Sequence, residues 1–134
     1  MSPAVVLVDT SAWVEFLNRP GGLHHEAVAR LLEADRVAIT GVVAAELLRG
    51  CRTPDDADEL DECLSGVMRI EVTYQDWCEV GREMGTLRAK GISVSLSDAA
   101  IAHAARRSAA LLYTLDADFR RWPGLPRFEP HAAR

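Results

Sequence analysis

Apolar residues along this chain fall into short unbroken runs separated by longer stretches of helical spacing. Ala4 to Val8 is a continuous aliphatic run, the pattern of a strand covered on both faces. Asp9-Thr10-Ser11 then offers N-cap chemistry, and the pattern predicts a short helix from Ala12 to Asn18 that stops near Pro20-Gly21-Gly22. From His24 to Ala34, Ala27, Val28, Leu31 and Leu32 share one helical face. A second strand is expected over Arg36 to Thr40, followed by a helix over Val42 to Leu48 that ends at Gly50. Thr53-Pro54-Asp55-Asp56 is a helix start: a capping residue, proline at the first helical position, and acids at the positive end of the dipole. Leu60, Leu64 and Val67 supply its apolar stripe. Further on, the spacing predicts a strand over Ile70 to Thr73 and an amphipathic helix over Gln75 to Ala89 closed by Gly91. An alanine-rich helix over Ser97 to Ser108 and a strand over Leu111 to Leu115 follow. A turn at Asp118 to Trp122 and an edge strand at Arg127 to Glu129 complete the pattern.

Strands alternate with helices, no hairpin signal intervenes, and each connection is long enough for a crossover. The expected fold class is therefore α/β, a three-layer αβα domain with a mostly parallel sheet of four to five strands. With 134 residues and no linker, repeat or low-complexity stretch, residues 1–134 are expected to form one domain. No apolar run approaches the length of a membrane span. Met1-Ser2-Pro3 lacks the basic start of a secretory signal. Three cysteines, Cys51, Cys63 and Cys78, are an odd number without a Cys-x-x-Cys, which disfavours a zinc site or a disulfide framework and suits a cytoplasmic location.

Charge changes the picture through its distribution. The net charge is −5, from 15 basic and 20 acidic residues, which argues against indiscriminate coating of nucleic acid. Residues 1–85 carry −9 and residues 86–134 carry +4. Lys90 is the only lysine, so arginine, whose planar fork suits bidentate phosphate contacts, dominates the basic set.

Open parallel sheets bind ligands at the carboxyl ends of their strands. Asp9 directly follows the first strand and Asp116 the fourth. Asp98 opens a helix on the same edge, and Glu46 is spaced with Val42, Val43 and Leu47 to point inward. Taken singly, Asp9, Asp98 and Asp116 read as helix or turn caps, and Glu46 as an acid paired with Arg49. Taken together, four acids on one edge repel one another unless a cation is present. Oxygen donors without histidine or thiolate suit Mg²⁺ or Mn²⁺ rather than zinc. A carboxylate-held divalent ion is a standard device for hydrolysing a phosphodiester. Glycine-rich phosphate loops and a nucleophile elbow are absent from the sequence. His24 and His25 read as solvated residues at a helix start, and His103 as a structural histidine.

Four blocks carry a resemblance. Val8-Asp9-Thr10-Ser11-Ala12-Trp13, Glu46-Leu47-Leu48-Arg49-Gly50, Asp98-Ala99-Ala100-Ile101-Ala102 and Leu112-Tyr113-Thr114-Leu115-Asp116-Ala117-Asp118-Phe119 resemble, in that order, PIN-domain ribonucleases. More narrowly they resemble the VapC toxins of bacterial toxin–antitoxin pairs. The resemblance implies an endoribonuclease dependent on Mg²⁺ or Mn²⁺, with Asp9, Glu46, Asp98 and Asp116 as its acidic quartet and Asp118 as a fifth, outer contributor. Asp9, Asp98 and Asp116 would hold the metal. Thr10, Ser11 and Thr114 match positions whose hydroxyls orient the acids. It further implies a homodimer restrained by a small VapB-like antitoxin in the groove beside the acids, with Arg49 a candidate contact. The Ser95-Leu96-Ser97 approach to Asp98, and His103, depart from the commonest forms.

Arg120 and Arg121, close behind Asp116, are the candidate grip on RNA phosphates. Trp13 and Trp77 read as core or interface residues. The acidic run from Asp55 to Glu62 reads as a solvated helix face that would repel RNA. Two rival readings keep the fold: a non-catalytic binding or regulatory module, and a metal-dependent DNA nuclease.

Overall fold

The computed structural model describes residues 3–131; the outermost residues of the expected domain, 1, 2 and 132–134, lie outside the described residues. In chain order the elements are β1 (Val6–Val8), α1 (Thr10–Asn18), α2 (Leu23–Glu33), β2 (Val37–Ile39), α3 (Gly41–Arg49), α4 (Pro54–Leu64), β3 (Met68–Arg69), α5 (Tyr74–Ala89), α6 (Leu96–Arg107) and β4 (Leu111–Tyr113). A 3₁₀ turn over Ala117–Arg121 follows β4. The sheet order is β3-β2-β1-β4, and every pairing is parallel. Side chains alternate between the two faces of a strand, yet Val6, Leu7 and Val8 are all 0% exposed, so both faces of the central strand are covered. The class is α/β with a four-stranded, all-parallel sheet.

The connections explain where a site can form. Chain order runs outward from β1 to β2 to β3, and then β4 returns to the other side of β1. The crevice between the carboxyl ends of β1 and β4 is therefore the topological switch point of the sheet. The helices that follow β1 and β2 start at that edge with side-chain caps, Asp9 for α1 and Thr40 for α3, and α6, which precedes β4, is capped by Ser95.

Three strand expectations are corrected. The third strand pairs at Met68–Arg69 rather than Ile70 to Thr73, because its partner β2 ends at Ile39, where Thr40 turns into the cap of α3. Ile70 N–H still donates to the Ile39 carbonyl at 3.0 Å, but Glu71 to Thr73 have no neighbour left to pair with. The fourth strand stops at Tyr113 rather than Leu115, because Thr114 and Leu115 bond to the Asp9–Ser11 corner instead. The Arg127 to Glu129 edge strand is reduced to one bridge, Leu112 with Arg127, held by Leu112 N–H to Pro126 O and Phe128 N–H to Leu112 O, each 2.9 Å. Pro126 and Pro130, which lack a backbone N–H, limit it there.

His24 and His25 are not the solvated pair expected. His24 Nδ1 lies 2.6 Å from the hydroxyl of Tyr113, and burial pushes that phenol up to about 12. The His25 ring stacks on Phe16 and its Nδ1 donates to the Phe16 carbonyl at 2.9 Å. Both rings pin α2 to its neighbours. Trp13 lies in the core, whereas Trp77 is 36% exposed. No helix among the described residues is long and apolar enough to cross a membrane.

Candidate functional site at the switch point

Asp9 is the keystone of the β1–β4 crevice. Its backbone leaves β1 in an extended conformation, its N–H donates to the Tyr113 carbonyl at 3.0 Å, and its side chain caps α1. One carboxylate oxygen, Oδ1, accepts from Ser11 Oγ at 2.6 Å and from Ala12 N–H at 3.2 Å. The other, Oδ2, accepts from Thr114 Oγ1 at 2.6 Å. Only 4% of the residue is exposed. Burial pushes the carboxyl above the ordinary aspartate range, outweighing the hydrogen bonds from Ser11 and Thr114 that favour the charged form.

The same hydroxyls bind the next residues of the crevice. Thr114 Oγ1 accepts the Asp116 N–H at 3.0 Å, and Ser11 Oγ accepts the Leu115 N–H at 2.9 Å. Asp116 in turn caps the 3₁₀ turn, its Oδ1 accepting the Asp118 N–H at 2.9 Å. Two hydroxyls thus lock the corner after β1 to the corner after β4.

Asp98 approaches from α6, whose first turn is capped by Ser95 Oγ accepting the Asp98 N–H at 3.1 Å. Carboxylate oxygens of Asp98, Asp116 and Asp118 all lie within 4.8 Å of one another. Burial raises the Asp98 carboxyl above its usual range, Ser95 opposes this, and the charges of Asp116, Asp118 and Asp9 raise it further. The structure therefore draws Asp118 into the carboxylate group with Asp98 and Asp116, while Asp9 stands behind them with both oxygens engaged. Glu46 sits half-buried on α3, where its Oε1 accepts from Thr10 Oγ1 at 2.8 Å instead of pairing with Arg49. All three hydroxyls named from the sequence, Thr10, Ser11 and Thr114, bond to one of these acids.

Arg120 and Arg121 lie exposed in the 3₁₀ turn beside Asp118. Arg121 Nη1 donates to the Ser93 carbonyl on the loop before α6, whereas Arg120 makes no ion pair among the described residues. Arg49 is exposed in the last turn of α3. Sequence reasoning missed Ser95, although Ser95-x-x-Asp98 has the spacing of a capping motif. It also missed a cluster on the α5–α6 face. There Asp76 Oδ1 accepts from His103 Nε2 at 2.9 Å, Arg107 Nη1 lies 3.3 Å from Asp76 Oδ2, and Glu83 receives Arg106 Nη1 at 2.9 Å and Trp122 Nε1 at 2.8 Å. The His103 and Thr73 hydrogen bonds hold the Asp76 carboxyl down at about 2. No local sequence signal joins residues so far apart.

A parallel α/β sheet with carboxylates gathered at its switch point defines a class of domains that handle charged ligands at the strand ends. The family model described as PIN domain matches residues 6–125, and the chain belongs to that family. VapC ribonuclease Mb1587 of Mycobacterium bovis is 34% identical over 121 residues, covering 86% of this chain and 89% of the relative. Ribonuclease VapC18 of Mycobacterium tuberculosis is 34% identical over 130 residues, covering 87% and 86%. Among solved structures, VapBC2 from Rickettsia felis bound to a DNA fragment from their promoter aligns with a TM-score of 0.75 at 25% identity, over 92% of this chain and 97% of that one. Mycobacterium tuberculosis VapC20, described as a Sarcin-Ricin loop cleaving toxin, shares the fold with a TM-score of 0.68 at 23% identity, over 93% and 99%.

Proposed function

We propose that this protein is an endoribonuclease toxin of the VapC type that requires Mg²⁺ or Mn²⁺ and is neutralised by a small antitoxin. The observation that carries this reading is the convergence of Asp98, Asp116 and Asp118 within 4.8 Å at the switch point, backed by the buried Asp9. Three carboxylates so close are mutually repulsive; burial is the main cause of the rise of the Asp98 carboxyl, and the charges of Asp116 and Asp118 add to it. An all-oxygen donor set of this kind fits a hard divalent cation. Asp98, Asp116 and Asp118 would hold it, with Asp9 adding negative charge from behind. When bound, such an ion neutralises a phosphodiester and assists attack by water.

The remaining work falls to the chain's own side chains. Ser11 and Thr114 fix the Asp9 carboxylate and the Asp116 backbone in one geometry, so the site is built before substrate arrives. Thr10 holds Glu46 at the flank. Arg120, exposed in the same turn as Asp118, would take a phosphate of the RNA, while Arg121, tied to Ser93, braces the 3₁₀ turn against the loop before α6. The acids repel phosphates in the absence of a cation, so general affinity is weak and binding is focused on the metal-loaded site.

A cleft between α1, α3 and α4 supports the antitoxin reading. Val14, Leu17, Leu60 and Glu46 are among the residues that line it. Val14 and Leu17 are about 40% exposed, an apolar strip that suits a short amphipathic segment of a partner ending in a basic residue near the acids. Exposed Tyr74 and Trp77 in the first turn of α5 are available for a homodimer contact.

The test of the activity is cleavage of total RNA with Mg²⁺ or Mn²⁺, beside DNA of matching sequence. Discrete RNA fragments that EDTA suppresses, with the DNA intact, are expected. Equal cleavage of the DNA would move the substrate assignment, and RNA cleavage unaffected by EDTA would remove the metal.

A further inference from the structure

A second cavity opens on the carboxyl edge of the sheet, two elements away from the acids. It has a volume of about 280 Å³ and lies where β2 and β3 end and α3 begins. Neighbouring strands are roughly 4.8 Å apart, so the end of β2 is one strand spacing from the end of β1 that carries Asp9. The acids gather on the β4 side of β1, so the cavity lies two to three strand spacings, roughly 10–15 Å, from them, the reach of a nucleotide a short way along a bound strand.

The lining has two chemistries. Ile39, Leu64 and Ile70 give an apolar floor, on which a flat ring can lie. Around it stand Arg69, Asp61 and Glu71, all exposed, and Arg69 makes no ion pair among the described residues despite the two nearby acids. Thr40 is 1% exposed; its hydroxyl accepts the Val43 N–H at 3.4 Å and donates to no group among the described residues. The cavity thus offers an arginine fork and a hydroxyl as donors, and two carboxylates as acceptors.

Two carboxylates make the cavity hostile to a phosphate, which rules for a base. Single-stranded RNA is read by splaying bases into such pockets, where rings lie against apolar or guanidinium surfaces and edges meet polar groups. Guanine alone presents two adjacent N–H donors, N1 and N2, that one carboxylate can accept together, and two adjacent acceptors, O6 and N7, that match an arginine fork. Adenine and cytosine pair a donor with an acceptor on the edge that would face the carboxylate.

We propose that the Thr40–Arg69–Glu71 cavity, with Asp61, is a guanine-binding subsite for a nucleotide a short way along the strand from the cleaved phosphodiester. The proposal rests on the ribonuclease reading for its biological meaning, but its recognition chemistry is testable without cleavage. Amide shifts of the metal-free protein are followed by NMR as guanosine 5′-monophosphate or cytidine 5′-monophosphate is added; the two share a phosphate and differ in the base. The guanine nucleotide should shift Gly41, Arg69 and Glu71, and the cytosine nucleotide should not at the same concentration. Asp61→Asn combined with Glu71→Gln, both exposed positions, should weaken guanine nucleotide binding about tenfold. In the metal-dependent assay Arg69→Ala should raise KM with kcat little changed and erase any guanosine bias in mapped cut sites. Equal shifts with both nucleotides, shifts confined to Asp98 and Asp116, or no shifts would overturn the subsite. RNA cleavage without guanine binding sinks this proposal alone, whereas guanine binding without RNA cleavage sinks the nuclease reading and leaves the pocket standing.

Discussion

Asp9 shows how one residue serves fold and site together. It caps α1, joins β1 to β4 through Thr114, and buries its carboxyl where it bears on Asp98. Removing a hydroxyl that orients it, by Ser11→Ala or Thr114→Val, should leave the fold intact and lower RNA cleavage about 10–100-fold, the usual effect of losing a group that positions a ligand-bearing side chain. Rates measured beside circular dichroism melts would check this; an unchanged rate would make the clamp purely structural. The acids also set opposite pH dependences. Asp9 and Asp98 have folded-state values raised above 3.8, so their contribution to the stability of metal-free protein is greatest at acid pH and is lost as pH rises through the raised values. Asp76 is held at about 2 against a reference of 3.8, so its contribution is present above that reference and is lost as pH falls from 3.8 toward 2. In urea melts across pH, Asp98→Asn should flatten the first trend, and Asp76→Asn should remove the acid-side loss. At this scale the sequence made Asp9 and Asp116 legible because each ends an apolar run. The His24–Tyr113 and Asp76–His103 contacts were hidden because their partners are 89 and 27 residues apart and no periodicity links them.

Helices were the most legible elements because their signals are local. Thr53 was legible as a helix start, whereas Thr73 and Ser95 were not, although in all three the hydroxyl accepts the N–H three residues on, where an acid stands. At Thr73 the exchange is reciprocal, with Asp76 Oδ2 accepting the Thr73 N–H at 2.8 Å. Thr73→Ala should therefore cost about 1 kcal/mol of stability, read as a lower denaturation midpoint at unchanged slope. Strands were harder because their limits depend on a neighbour. The Ile70 to Thr73 run has strand character, but β2 ends before it, so pairing is confined to Met68–Arg69. Likewise β4 is cut short where Thr114 leaves the ladder to bind Asp9. That early exit is what creates the crevice, so the feature least visible as a strand boundary is the one that shapes the candidate site.

Across the whole molecule, a net charge of −5 is compatible with the proposed RNA substrate, because Asp98, Asp116 and Asp118 gather where a cation would neutralise them. Binding Mg²⁺ or Mn²⁺ only to the folded state should raise the melting temperature, by about 2.7 kcal/mol of stability at a hundredfold excess over Kd. Asp98→Asn should cut that response, and a flat titration of the wild type would count against the site. The order of strands explains why the candidate site was readable from the sequence: acids that follow the first and last strands in sequence meet in space because β4 returns beside β1. The α1–α3–α4 cleft and the β2–β3 cavity were not readable, since they are assembled from side chains of three and four elements that share no motif. In the proposed reading, RNA cleavage depends on the Asp98–Asp116–Asp118 cluster. The most direct measurement compares wild type with Asp116→Asn, matched for folding by circular dichroism, in single-turnover cleavage of one RNA with Mn²⁺. The wild type should cleave and EDTA should stop it, while Asp116→Asn should fall by more than the roughly 100-fold expected for a merely supporting group. A folded Asp116→Asn protein that cleaves at the wild-type rate would contradict the account.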